Sequence, residues 1–286
     1  MHLQHLFRPG HQVFSIELFP PKTPEGVENL KAKLPEIGAL HPEYISVTYG
    51  ALGGTRHNTL EICGHVKRET HAEVMAHLTC VAHTREEIHS VLADLKAEGV
   101  DNIMALRGDP PKGETTFQPP EGGFRYASEL VQAIRAEGSF GIGVAGYPEK
   151  HVESSDYKTD LQHQADKANA GAEVVISQFF LVNDHFLRWR DDMRNAGVAI
   201  PIEAGILPAV SADAITNMAG VCGVEVPRSL LEGLEKYQDD KNAAADFGLE
   251  FAVKQVEALL KEGVDGIHLY ALNKLAPIQA IAPLLK

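Results

Sequence analysis

The sequence predicts a (β/α)8 TIM barrel, a single α/β domain, on three observations. Eight short apolar, β-branched runs recur along its 286 residues, and stretches of helical period separate them. The words LKAEGVDNI (95–103) and LKEGVDGI (260–267) repeat one junction, a helix closing on glycine and the chain re-entering a strand. Strands apolar on both faces between amphipathic helices require a parallel sheet covered by helices, and eight such units in one chain suit a closed barrel. An open doubly wound sheet is the rival, because alternation alone does not show that the last strand meets the first.

The runs are VFSIELF (13–19), YISVTYG (44–50), EVMAHLTC (73–80), NIMALRGD (102–109), FGIGVAGY (140–147), EVVISQFFL (173–181), PIEAGILP (201–208) and GIHLYALN (266–273). The clearest helix covers 84–98, where Ile88, Val91, Leu92 and Leu95 form one stripe. Thr84 and Glu87 supply its capping box and Gly99 its stop. The interval 209–264 is longer than the others and predicts an extra helix around 227–237, before the last strand. No Pro/Gly/Ser-rich linker divides the chain, so 1–286 reads as one domain.

Twenty-six Lys plus Arg against 39 Asp plus Glu leave a net charge of −13, which repels phosphate backbones and anionic membranes. Neither nucleic acid nor a membrane is an expected partner. Cys63, Cys80 and Cys222 show no CxxC spacing and fit a reducing compartment. The N-terminus lacks the apolar stretch of a signal peptide, and no run of some 18 apolar residues occurs, so a cytoplasmic location is expected. There is no HExxH among the 14 histidines, and no metal site is expected.

In a βα barrel the chemistry projects from the C-terminal strand ends. Glu17 interrupts the first apolar run; Thr48 and Tyr49 end the second; His77 lies in the third; Arg107, Gly108 and Asp109 end the fourth. Tyr147 and His151 follow the fifth, Gln178 the sixth and Lys274 the eighth. A carboxylate in a central strand is costly unless paired, so the pKa of Glu17 is expected to rise, which suits a general acid. The alternative is a structural carboxylate salt-bridged to a neighbour such as Arg107. Asp109 reads equally as a functional group or as a turn residue before Pro110. Gly141, Gly143 and Gly146 spell GxGxxG, but inside an apolar run and followed by Tyr147-Pro148, where a dinucleotide fingerprint needs a helix start. Here they read as room for a facing layer or something flat against the strand.

The strand-end words FSIELFPPKTPEG, YISVTYGALGGTR, AHLTC, ALRGDPP, GYPEKH, SQFF, GILP and HLYALNK, in this order, resemble the catalytic domain of the methylenetetrahydrofolate reductase family over essentially the whole chain. The resemblance implies a (β/α)8 flavoprotein that moves hydride from NADH or NADPH through FAD to 5,10-methylenetetrahydrofolate, a reaction of one-carbon metabolism and methionine supply, in a homo-oligomer. It implies Glu17 as the proton donor that opens the imidazolidine ring. Asp109 would lie by flavin and pterin, and Thr48, Gln178 and Lys274 against folate. The implied cofactor-binding residues are Thr48, which would lie by nicotinamide and folate, and Tyr49, Ala51, His77, Arg107, Gly108, Asp109, Tyr126, Ala127, Tyr147, His151, Asp160, His163 and Lys167 for FAD.

The chain departs from the family pattern at Asp166, an acid beside Lys167, and after GILP at Ala212, Ala214 and Met218, where larger aromatic and amide side chains are usual. Lys274 replaces a frequent arginine. Two alternatives stay open on these grounds: a flavin-free reductase of the same folate, and a non-catalytic folate- or flavin-binding subunit.

Overall fold

The computed structural model describes residues 1–49, 56–110 and 117–285, and along its strands side chains alternate between the helix layer and the barrel interior. The strands are β1 (Val13–Leu18), β2 (Tyr44–Val47), β3 (Glu73–Thr79), β4 (Asn102–Leu106), β5 (Gly141–Gly146), β6 (Val174–Ser177), β7 (Ile202–Ile206) and β8 (Gly266–Tyr270). Each pairs in parallel with the next. β8 returns to β1 with Ser15 opposite His268 and Glu17 opposite Tyr270, so the barrel is closed and the open sheet is excluded. The helices are α1 (Pro24–Gly38), α2 (Arg56–Glu69), α3 (Arg85–Ala97), α4 (Ala127–Glu137), α5 (Tyr157–Asn169), α6 (Asn183–Asn195), α7 (Ala212–Cys222), α8 (Arg228–Lys236), α9 (Lys241–Lys261) and α10 (Leu275–Ile281). The expected extra helix is α8.

Outward-facing Ile16, Leu18, Val74, Ala76, Val144 and Leu269 pack with Leu34, Leu92 and Ile134 of the helices in one continuous core. Each buried Val, Leu or Ile among them stabilises the fold by roughly 1.5–3 kcal/mol. Inward-facing Val13, Tyr44, Met75, Met104, Val174 and Ile176 form the inner core, and Leu3 joins them from the N-terminal segment. The Leu3 amide donates to Asn102 Oδ1 at 3.0 Å, so this segment plugs the barrel end opposite the catalytic rim.

Local devices follow the sequence. Thr84 N donates to Glu87 Oε2 at 2.7 Å and Glu87 N to Thr84 Oγ1 at 3.3 Å, the predicted capping box, and Gly99 has φ +77° just beyond α3. Two glycines of β5 admit neighbours. A Cβ at Gly143 would lie 2.9 Å from Met75 Sδ inside the barrel, and one at Gly146 would collide with the Trp189 ring outside it. Each strand stops short of its apolar run; Arg107 and Gly108 after β4, Tyr147 after β5 and Gln178 after β6 lie beyond the ladder and line the rim. Among the described residues no helix is long and apolar enough to cross a membrane.

Candidate active site

The C-terminal strand ends surround a cavity of about 1130 Å³. Glu17, Thr48 and His77 line it from β1, the end of β2 and β3, and Arg107, Gly108 and Asp109 from beyond β4. Tyr126 and Ala127 contribute the start of α4, and Tyr147 and His151 the loop after β5. Asp160, His163 and Lys167 face it from α5, and Gln178 from beyond β6. The structure thus brings most of the predicted set onto one surface.

Backbone chemistry fixes these positions. Gly108 takes φ +85°, which turns the chain after Arg107 while its Cα passes Thr79 and Val81, where a Cβ would meet atoms at 3.1–3.2 Å. After β5, Tyr147 N donates to Gln164 Oε1 at 2.7 Å and His151 N to Asp160 Oδ2 at 2.9 Å. Gln164 Nε2 also donates to that Asp160 oxygen, at 2.6 Å. The first turns of α5 therefore hold the β5 loop, and buried Asp160 acts as a bracket. The His151 ring stands edge-on to Tyr147 with centroids 4.7 Å apart.

Glu17 sits at the base of the cavity. Its Oε2 is 3.5 Å from His77 Nε2 and 3.9 Å from His268 Nε2. Burial pushes its pKa up, but the nearby imidazole of His268 and the charges of His77 and His268 outweigh burial and hold it below the usual carboxylate value. The expected rise is corrected here: sequence shows the apolar strand but not two histidines from β3 and β8. Nor does Arg107 partner Glu17; it forms a two-pronged ion pair with Glu153. Burial lowers His77, Glu17 pulling it back up and His268 lowering it further. His77 Nε2 is buried without a hydrogen-bond partner and can serve a polar group placed in the cavity.

On the opposite wall the basic side chains Arg107, His151 and Lys167 line the cavity beside Glu153, Asp160 and Asp166. Lys167 Nζ donates to Ala145 O at 2.5 Å; burial lowers its pKa to about 8, Asp160 opposing and Arg107 reinforcing the drop. Burial likewise lowers His151, with Arg107 adding to it. An anion bound between them would relieve both.

Some predicted residues lie elsewhere. Tyr49 points its hydroxyl at His83 Nε2, 3.1 Å away and off the cavity lining, and Ala51 lies outside the described residues. Exposed Lys274 precedes α10 and does not line the cavity. Of the three altered positions after GILP, Met218 borders the cavity, while Ala212 and Ala214 sit away from it at the start of α7. Asp166 does line the cavity, and accepts from Gln162 Nε2 at 2.7 Å. Sequence reasoning missed Glu153, Tyr270, His268 and Glu203. Glu203 and His268 carry the signal that singled out Glu17, a polar residue within a buried strand.

The methylenetetrahydrofolate reductase family model matches residues 2–286. The chain belongs to the methylenetetrahydrofolate reductase family. It is 38% identical over 275 residues to methylenetetrahydrofolate reductase (NADH) 1 of Arabidopsis thaliana, covering 92% of this chain and 46% of that one. The chain spans about half the length of the plant relatives it matches. Against the 5,10-methylenetetrahydrofolate reductase of Escherichia coli it is 35% identical over 260 residues, covering 91% of this chain and 86% of that one. Among solved structures, a Clostridium thermocellum protein that binds two copies of 5-methyl-5,6,7,8-tetrahydrofolic acid shares the fold, with 17% identity, a TM-score of 0.63 and coverage of 96% and 94%.

Proposed function

We propose that the chain reduces 5,10-methylenetetrahydrofolate to 5-methyltetrahydrofolate with NADH or NADPH as donor and FAD as carrier, in one-carbon metabolism and methionine supply. The observation that carries the reading is Glu17 at the base of the rim cavity of a chain matched throughout by this family's model. The donor set fits FAD: Arg107, His151 and Lys167 offer cationic or N–H partners for its diphosphate, and the lowered Lys167 lacks a nearby anion strong enough to offset its burial. When bound, FAD supplies the hydride acceptor and donor that no side chain can provide.

This chain's residues do the rest. Glu17 gives a proton to the leaving nitrogen of the imidazolidine ring, which must open before hydride can add at carbon. Covering the mouth removes water from Glu17 and shifts it toward the protonated form, which His77 and His268 otherwise disfavour. Asp109 and Gln178 hold the pterin, Thr48 borders both ligands, and Asp160 keeps the loop of His151 in place.

Yellow protein that NADH bleaches and 5,10-methylenetetrahydrofolate restores supports the reading; protein that bleaches but does not respond to the folate contradicts it. Asp166 and the pairing of Arg107 with Glu153 put acids where the diphosphate would lie and favour a second reading, a flavin-free reductase. Colourless protein that oxidises NADH only with folate present selects it.

A further inference from the structure

The barrel floor holds a carboxyl group with no part in the chemistry above. Glu203, the second residue of β7, is 0% exposed. It accepts a hydrogen bond from the Tyr44 hydroxyl of β2, and Ser15 Oγ of β1 lies within hydrogen-bond distance at 3.1 Å. Ser15 Oγ also lies 2.6 Å from His268 Nδ1, on β8. The far nitrogen, His268 Nε2, faces Ser46 Oγ at 3.5 Å and Glu17 Oε2 at 3.9 Å. One hydroxyl and one imidazole therefore connect the buried carboxyl to the carboxyl at the mouth.

The two ends are held in opposite states. Burial pushes Glu203 up to about 8; Tyr44 and Ser15 pull it down, and the charges of Glu43 and Asp265 raise it further. Glu17, facing His77, His268 and Tyr270, lies below its ordinary value. At neutral pH the pair thus holds one proton on the floor, away from the group that must donate it.

We propose that Glu203 is the proton store of this site, passing its proton through Ser15 and His268 to Glu17 when a folate covers the mouth. The proposal rests on Glu17 being the proton donor. Glu203 gives its proton to Ser15 Oγ, Ser15 gives its own to His268 Nδ1, and His268 releases the Nε2 proton to Glu17 across a gap that carboxyl rotation closes. One proton moves and no electrons do. Glu203 is left ionised, accepting from Tyr44 and now also from Ser15, and His268 is left as the Nδ1–H tautomer. The driving change is at the mouth, where the ligand strips water from Glu17 while the surroundings of Glu203 stay as they were. After product leaves, solvent protonates Glu17 and the same chain refills Glu203.

The test is infrared difference spectroscopy of the full chain at pH 7 with and without 5-methyltetrahydrofolate. The expected result is loss of one carboxylic-acid C=O band and gain of another, the first absent from Glu203→Gln and the second from Glu17→Gln. In Ser15→Ala the floor band should persist when the folate is added, which keeps the test open if Glu203→Gln fails to fold. A floor band that survives in folded Glu203→Gln, or no exchange of bands in the wild type, overturns the proposal. In stopped flow, Glu203→Gln should slow reoxidation by 5,10-methylenetetrahydrofolate about a hundredfold at pH 7. It should also lack the decline that the wild type shows above pH ~8, where Glu203 ionises. Normal reoxidation in Glu203→Gln with Glu17→Gln inactive removes the store and keeps the donor; normal reoxidation in Glu17→Gln removes the donor itself.

Discussion

Arg107 and Glu153 face each other at the cavity rim in a bidentate pair, Nη1 to Oε2 at 2.5 Å and Nη2 to Oε1 at 2.7 Å. One of the cations proposed to hold the diphosphate is thereby neutralised by this chain's own carboxylate. A part-exposed pair of this kind is worth at most ~1 kcal/mol, so an anion can displace Glu153 at modest cost. Glu153→Gln should therefore tighten FAD binding by about fivefold in a fluorescence titration. Unchanged or weaker binding would show that Arg107 does not meet the ligand.

Lys167 gives a proton-linked prediction. Burial depresses it to about 8, and an approaching diphosphate would raise it again. Between about pH 8, the buried value, and about pH 10, the ordinary lysine value, FAD binding should take up protons. Calorimetry at pH 9 in two buffers of different ionisation enthalpy measures this. Zero uptake would place the diphosphate away from Lys167.

Glu203 makes the fold sensitive to pH. Its folded pKa, about 8, lies above the unfolded value, so the native chain binds the extra proton between roughly pH 5 and 8. Stability from this group is complete below that window and is lost as pH rises through it, at up to ~1.4 kcal/mol per pH unit. Glu203→Gln should flatten that stretch of a Tm-against-pH curve. An unchanged slope would mean that Glu203 is already ionised at neutral pH.

The two β5 glycines should respond differently to alanine. At Gly143 the new methyl meets the mobile sulfur ends of Met75 and Met104, whereas at Gly146 it meets the rigid Trp189 ring, itself fixed by Nε1 donating to Gln164. Urea unfolding should show Gly146→Ala losing ~1–3 kcal/mol and Gly143→Ala less. The reverse order would contradict the packing described.

The barrel was legible because its signals are local: apolar runs of strand length, the Thr84 and Glu87 cap, and the glycine-ended helices. Most of the rim was legible too, since strand ends in a βα barrel converge by geometry. What sequence could not carry was pairing across strands. Glu17 reads as an acid stranded in apolar surroundings until β3 and β8 bring His77 and His268 against it. The engagement of Arg107 by Glu153, 46 positions apart, depends in the same way on where the β5 loop lands. Lys274, plausible from its place after β8, sits before α10 and faces solvent.

The most direct measurement is stopped-flow reoxidation of dithionite-reduced protein by 5,10-methylenetetrahydrofolate, comparing wild type with Glu17→Gln. The wild type should regain its flavin absorbance and form 5-methyltetrahydrofolate, while the variant, still bleached by NADH, should reoxidise at least about a hundredfold more slowly. Equal reoxidation rates in the two proteins would contradict Glu17 as the proton donor.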